Sequence, residues 1–108
     1  LRHEEPAPDW RGYRKLYLDL VNPGDQPLRL VLRVHDFWHD QRHDDRFNRA
    51  FALHPRSRRV VAVPLEDIEQ APRGRRMDMS RIAGLVLFEA SGEAPVGARF
   101  YVTRVWLD

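Results

Sequence analysis

Hydrophobic and polar residues alternate along most of this chain, and the period of two recurs in stretches of strand length. In YRKLYLDLV, Leu16, Leu18 and Leu20 alternate with Lys15, Tyr17 and Asp19, the pattern of a strand with one wet face. LRLVLRV repeats it, with Leu28, Leu30, Leu32 and Val34 set against Arg29, Val31, Arg33 and His35. Between the two, NPGDQP at 22–27 gathers prolines, a glycine and an Asn/Asp pair, which is turn chemistry. A hairpin over this turn matches faces only when odd residues oppose odd ones, setting Tyr17 near Arg33 and Asp19 near Val31. RFNRAFAL follows with Phe47, Phe51 and Leu53 on one parity. Arg49 shares that parity, a conflict that a β-bulge would resolve.

RRVVAVP reads as a strand ending at Pro64, where a proline is tolerated. LEDIEQAPRG and MDMSRI predict short helical turns and loop, with Asp78 as a cap and Met77 and Met79 packed under it. IAGLVLFEA is apolar on both parities and predicts a central strand covered on both faces. SGEAPVGA is a loop, and RFYVTRVWL has the aromatic and β-branched content of a last strand. Trp10 and Trp106 are expected in the core or at a sheet edge. Six or more strands without a long amphipathic helix predict an all-β fold, an antiparallel sandwich with one or two short helical turns.

The 108 residues fit one domain, 1–108, with the proline-broken residues 1–8 as a linker or an edge strand. Leu1 in place of an initiator methionine makes a piece cut from a longer protein the expectation. One lysine stands against 17 arginines, a preference expected of a GC-rich bacterial gene. These cations are nearly balanced by 16 acids and spread along the chain, so no nucleic-acid arm is marked. Arg73, Arg75 and Arg76 form a small basic knot, expected to be solvated. With no cysteine, thiolate metal sites and cysteine nucleophiles are excluded, and no apolar run is long enough to span a membrane.

Candidate chemistry concentrates in VHDFWHDQRHDDRFN. His35-Asp36, His39-Asp40 and His43-Asp44 repeat there at a spacing of four, beside Trp38. That spacing aligns the imidazoles on a helix or on a strand alike; the flanking strands make the cluster a strand end plus its loop. Imidazole and carboxylate donors suit Zn, Ni or Fe, yet the repeat matches no known strand-loop ligand spacing. Turn caps and solvated loop groups are the plainer reading, with Asp36 and Asp45 tying the loop to backbone N–H groups and His39 packed beneath it. No nucleophile elbow, phosphate loop or convergent acid/base set accompanies the cluster, so an enzyme is not expected.

In order along the chain, DWRGYRKLYLDLVNPGDQPLRLVLRVHD, DDRFNRAFAL, VVAVPLEDIEQAP, MDMSRIAGLVLF and FYVTRVWL resemble the galactose-binding-like jelly-roll modules of carbohydrate-active proteins. The likeness, over residues 9–107, is to the carbohydrate-binding-like C-terminal domain of some bacterial VanZ-like proteins. It implies a non-catalytic accessory module that binds a glycan or cell-wall polysaccharide, tethered to a membrane domain and placed outside the cytoplasm at the cell envelope. Planar polar side chains (Arg33, His35, Asp36, His39, Arg46) would bond vicinal hydroxyls, and Tyr17 or Trp38 would stack on a sugar face. Such modules often carry a structural calcium held by acids near the first and last strands. Here Thr103 stands where the last strand commonly has Asp, leaving Glu4, Glu5 and Asp108 as candidates. A structural or protein-interaction sandwich without a sugar site, and a His/Asp metal-binding domain, are the alternatives.

Overall fold

The computed structural model describes residues 7–39, 45–90 and 100–108. Six strands and one helical turn form in the order β1 (Lys15–Asn22), β2 (Leu28–Asp36), β3 (Phe47–Leu53), β4 (Ser57–Pro64), α1 (Leu65–Glu69), β5 (Ile82–Glu89) and β6 (Tyr101–Leu107). They make two three-stranded antiparallel sheets, β4-β1-β6 and β3-β2-β5, stacked as a β-sandwich. The alternation in sequence explains the stacking. The even-numbered leucines of β1 and β2 are buried, and with Phe47, Leu53, Val61, Val63 and Ile82 they form one hydrophobic cluster.

The expected hairpin of β1 and β2 is absent, because the two strands lie in different sheets. Each buries its even-numbered side, so facing one another across the core satisfies both, and the five residues 23–27 suffice to cross between layers. Asn22 anchors this crossing from a buried position: its side-chain N–H donates to the carbonyls of Gln26 (2.8 Å) and Leu53 (3.3 Å), and its Oδ1 accepts from Gly24 N (3.0 Å). Of the five connections between successive described strands, four join strands of different sheets, and only β2 to β3 joins spatial neighbours.

Two further expectations change. β5 is an edge strand, paired with β2 alone among the described strands, and most of it is only half-buried. Its two apolar sides face the core and the outer surface of the sheet. Arg49 needs no bulge: the β2–β3 register is unbroken, with Leu32 opposite Arg49. Lying on an edge strand, its side chain reaches round to Asp67 of α1 (3.1 Å). The ladder shifts occur elsewhere, between Asp19 and Leu20 on the β6 side and between His35 and Asp36 on the β5 side.

Leu18 and Leu30 are wholly buried at the centre of their strands. Leu18→Ala or Leu30→Ala should therefore lower the unfolding free energy by about 2–5 kcal/mol in urea titrations, whereas Val60→Ala, on the exposed outer side, should change it by less than about 1 kcal/mol.

Candidate functional site

The parity of β2 decides the site. Asp36 falls on the even, inward side at the strand's end, and its carboxylate is fully enclosed. A buried carboxylate must be paired or hydrogen-bonded. Arg75 supplies the pairing, with Nη1 2.7 Å from Oδ2 and Nη2 2.9 Å from Oδ1 of Asp36. The same guanidinium grips Asp45 through Nε (2.7 Å) and Nη2 (3.1 Å). One planar cation thus spans two acids from the two ends of the β2–β3 connection. Backbone N–H groups complete the shell: Asp78 N donates to Asp36 Oδ2 (2.7 Å) and Trp38 N to Oδ1 (3.2 Å). Burial pushes the Asp36 carboxyl up, but the bonds from Arg75 and these N–H groups outweigh it and hold the pKa below its ordinary value.

Arg75 is the residue that sequence reasoning missed; as part of a basic knot it was expected in solvent. The signal lay in Asp36, whose inward parity requires a cation from elsewhere. Arg76, its neighbour, is mostly exposed and 3.6 Å from Glu69.

The clamp positions the groups around it. Trp38 is 57% exposed, yet its indole Nε1–H donates to Asp78 Oδ2 at 3.0 Å. The Ser80 hydroxyl, and then this indole, lower the pKa of Asp78. Phe37, also exposed, meets Trp38 edge-on at 5.1 Å, and the Arg81 guanidinium lies 5.7 and 5.8 Å from the two rings. His39 is buried against Asp45, its Nδ1 3.0 Å from that residue's carbonyl oxygen. Its ring also meets that of His35 at 5.1 Å.

On the outer face of β3-β2-β5 stand Arg33, His35 and Arg46. Arg33 packs 4.9 Å from the Phe88 ring. Arg46 donates from Nε to Asn48 Oδ1 (3.1 Å). The His35 imidazole packs on β5 where Gly84 has no side chain; a Cβ there would clash with the ring. Desolvation, then the nearby His39, lowers the His35 pKa, with Arg33 and Arg46 acting in the same direction against Asp36.

Of the seven predicted ligand-binding residues, the structure brings Arg33, His35 and Arg46 together, with His39 adjoining them. Trp38 stands at the end of the sandwich, and Asp36 is enclosed by the clamp. Tyr17 is apart from all of these, on the outer face of the other sheet, stacked at 5.1 Å and 11° on Trp106. Trp106 is therefore a half-buried outer-face residue, while Trp10 is in the core. Asp40, His43 and Asp44 lie outside the described residues, as do Glu4 and Glu5. Asp108 is exposed, and its backbone pairs with Arg14 and Lys15. Among the described residues no three His, Asp or Glu side chains converge to hold a metal ion. No described helix is long and apolar enough to cross a membrane.

Comparison of the chain with protein-family models, with curated proteins and with solved structures finds no match.

Removing one partner of an enclosed ion pair leaves the other charge uncompensated. Arg75→Ala should accordingly cost about 3 kcal/mol of unfolding free energy, and Arg76→Ala less than about 1 kcal/mol, in the same titration. Stability should also fall with acidity. The His35 pKa is depressed on folding, so its contribution is complete above the ordinary value of 6.5 and is lost as pH falls through the folded value. Asp36 adds a second contribution, complete above 3.8 and lost as pH falls through its own lowered value. Thermal unfolding across pH 7.5 to 2.5 checks both; His35→Gln should remove the upper step alone.

Proposed function

We propose that this chain is a non-catalytic carbohydrate-binding-like module, of the galactose-binding-like jelly-roll kind, that binds a glycan at the cell envelope of a bacterium. The observation that carries the proposal is the pinned indole of Trp38. A large aromatic ring more than half exposed would ordinarily be left free to rotate; here a hydrogen bond to Asp78 fixes its plane. A fixed, exposed ring is what stacking on the C–H face of a sugar requires, since little side-chain entropy remains to be lost on binding. Arg33, His35 and Arg46 add planar groups for hydroxyls on the adjoining face. The affinity of so open a surface is modest, and attachment to a larger envelope protein compensates by raising the local concentration.

A second reading, a structural or protein-interaction sandwich, is favoured by one feature: Asp36, Asp45 and His39 are all engaged in holding the loop. Glycan arrays and calorimetry against cell-wall and plant polysaccharides separate the two. Under the glycan reading Trp38→Ala weakens binding by up to roughly tenfold, while Tyr17→Ala, on the opposite sheet, leaves it unchanged. Silence across the screens, with His39→Ala lowering stability, would leave the structural reading standing.

A further inference from the structure

Building on the glycan reading, we infer that the outer face of the β3-β2-β5 sheet takes an anionic group of the glycan, a carboxylate or phosphate, between Arg33 and Arg46. The strand registers assign this face. β2 contributes Arg29, Val31, Arg33 and His35; β3 and the residue before it contribute Arg46, Asn48, Ala50 and Ala52; β5 contributes Gly84, Val86 and Phe88. Arginine and histidine are the charge-bearing residue types there, and none of these described residues is acidic.

Elsewhere the arginines follow a simple rule. Arg11, Arg49, Arg56, Arg58, Arg75 and Arg76 each lie within ion-pair distance of a carboxylate. Arg14, Arg29, Arg59, Arg81 and Arg104, for which no carboxylate partner is seen among the described residues, are exposed, where water solvates the charge. Arg33 and Arg46 break the rule: both are partly buried, no described carboxylate pairs with either, and they lie on the same side of the β2–β3 ladder. Arg33 Nε is buried without a hydrogen-bond partner. The Arg46 pKa is lowered, first by desolvation and then by Arg33. Two partly buried like charges on the same face of adjoining strands cost stability, and an anion between them would relieve both the repulsion and the orphaned donor.

The neighbours fit that occupant. Guanidinium forks match the planar oxygens of carboxylate and phosphate. The Phe88 ring backs Arg33, Asn48 steadies Arg46, and the His35 imidazole, seated on Gly84, offers a further donor without a competing acid. Val86, exposed on the same face, leaves apolar surface for a sugar ring.

Calorimetry at low ionic strength on the full chain tests this with polygalacturonate, its fully methyl-esterified form, poly(glycerol phosphate) and inorganic phosphate. Binding of polygalacturonate or poly(glycerol phosphate), weakened about tenfold by Arg33→Gln and by Arg46→Gln singly and by added salt, is the expected result. Which polymer binds tells carboxylate from phosphate, and Arg104→Gln, on the opposite sheet, should leave the binding unchanged. Should the esterified polymer bind as tightly as the acid, the anion site is overturned and the glycan reading survives. Arginine-dependent binding of inorganic phosphate with every polymer silent would keep a small-anion site and overturn its assignment to a glycan's anionic group, while the wider glycan screen decides the glycan reading. No binding of any of the four overturns the anion site; the wider glycan screen then decides the reading on its own. Circular dichroism of Arg33→Gln identifies misfolding, in which case Arg46→Gln, just before the edge strand β3, decides.

Discussion

A carboxylate enclosed at the end of a hydrophobic strand is the constraint on which this structure turns. The period of two that makes β2 a core strand also directs Asp36 inward, and a charge so placed has to be answered by another. Arg75 answers it from the loop before β5 and takes hold of Asp45 as well. Two loops distant in sequence are thereby fastened at one point. The backbone of Trp38 and of Asp78 is recruited into the same shell, so the indole and its acceptor are both held by the carboxylate that Arg75 neutralises.

The outer faces of the two sheets differ in how their charges are resolved. On β4-β1-β6, Asp19 is held by Arg58, Tyr17 is stacked on Trp106, and the Arg104 guanidinium lies 4.4 Å from the Trp106 ring. That surface is satisfied from within. On β3-β2-β5 the cations meet aromatic and amide neighbours but no described acid. A β-sandwich presents two such faces of comparable size, and the difference in satisfaction is a physical reason to assign binding to one of them.

The fold was largely legible because alternation is a local signal: the leucines of β1 and β2 announce both the strands and their buried side. Sheet membership was not, since the same alternation satisfies a hairpin and a face-to-face pair equally well; the choice between them is made by β4 and β6 flanking β1. β5 was misplaced for a related reason, as an apolar residue on a half-covered edge looks like one in a covered centre. At the site, sequence located Asp36, Trp38 and His39 through their density in one segment. It could not find Arg75, because a clamp over 39 residues of separation leaves no periodic trace. The fourfold His-Asp repeat drew attention to the right place, though what holds that place together is the guanidinium, with one His-Asp pair divided between an outer face and the core by the strand's own pleat.

The crossing connections also bear on the order in which the molecule can assemble. β1 has β4 on one side and β6, the last of the described strands, on the other. Its sheet is incomplete until β6 has left the ribosome. In the interval the outer backbone edge of β1 stands open, a template for any extended strand that arrives first. A sandwich wired in this way exchanges early local structure for mutual dependence, because its strand pairings are non-local and non-local pairing slows folding.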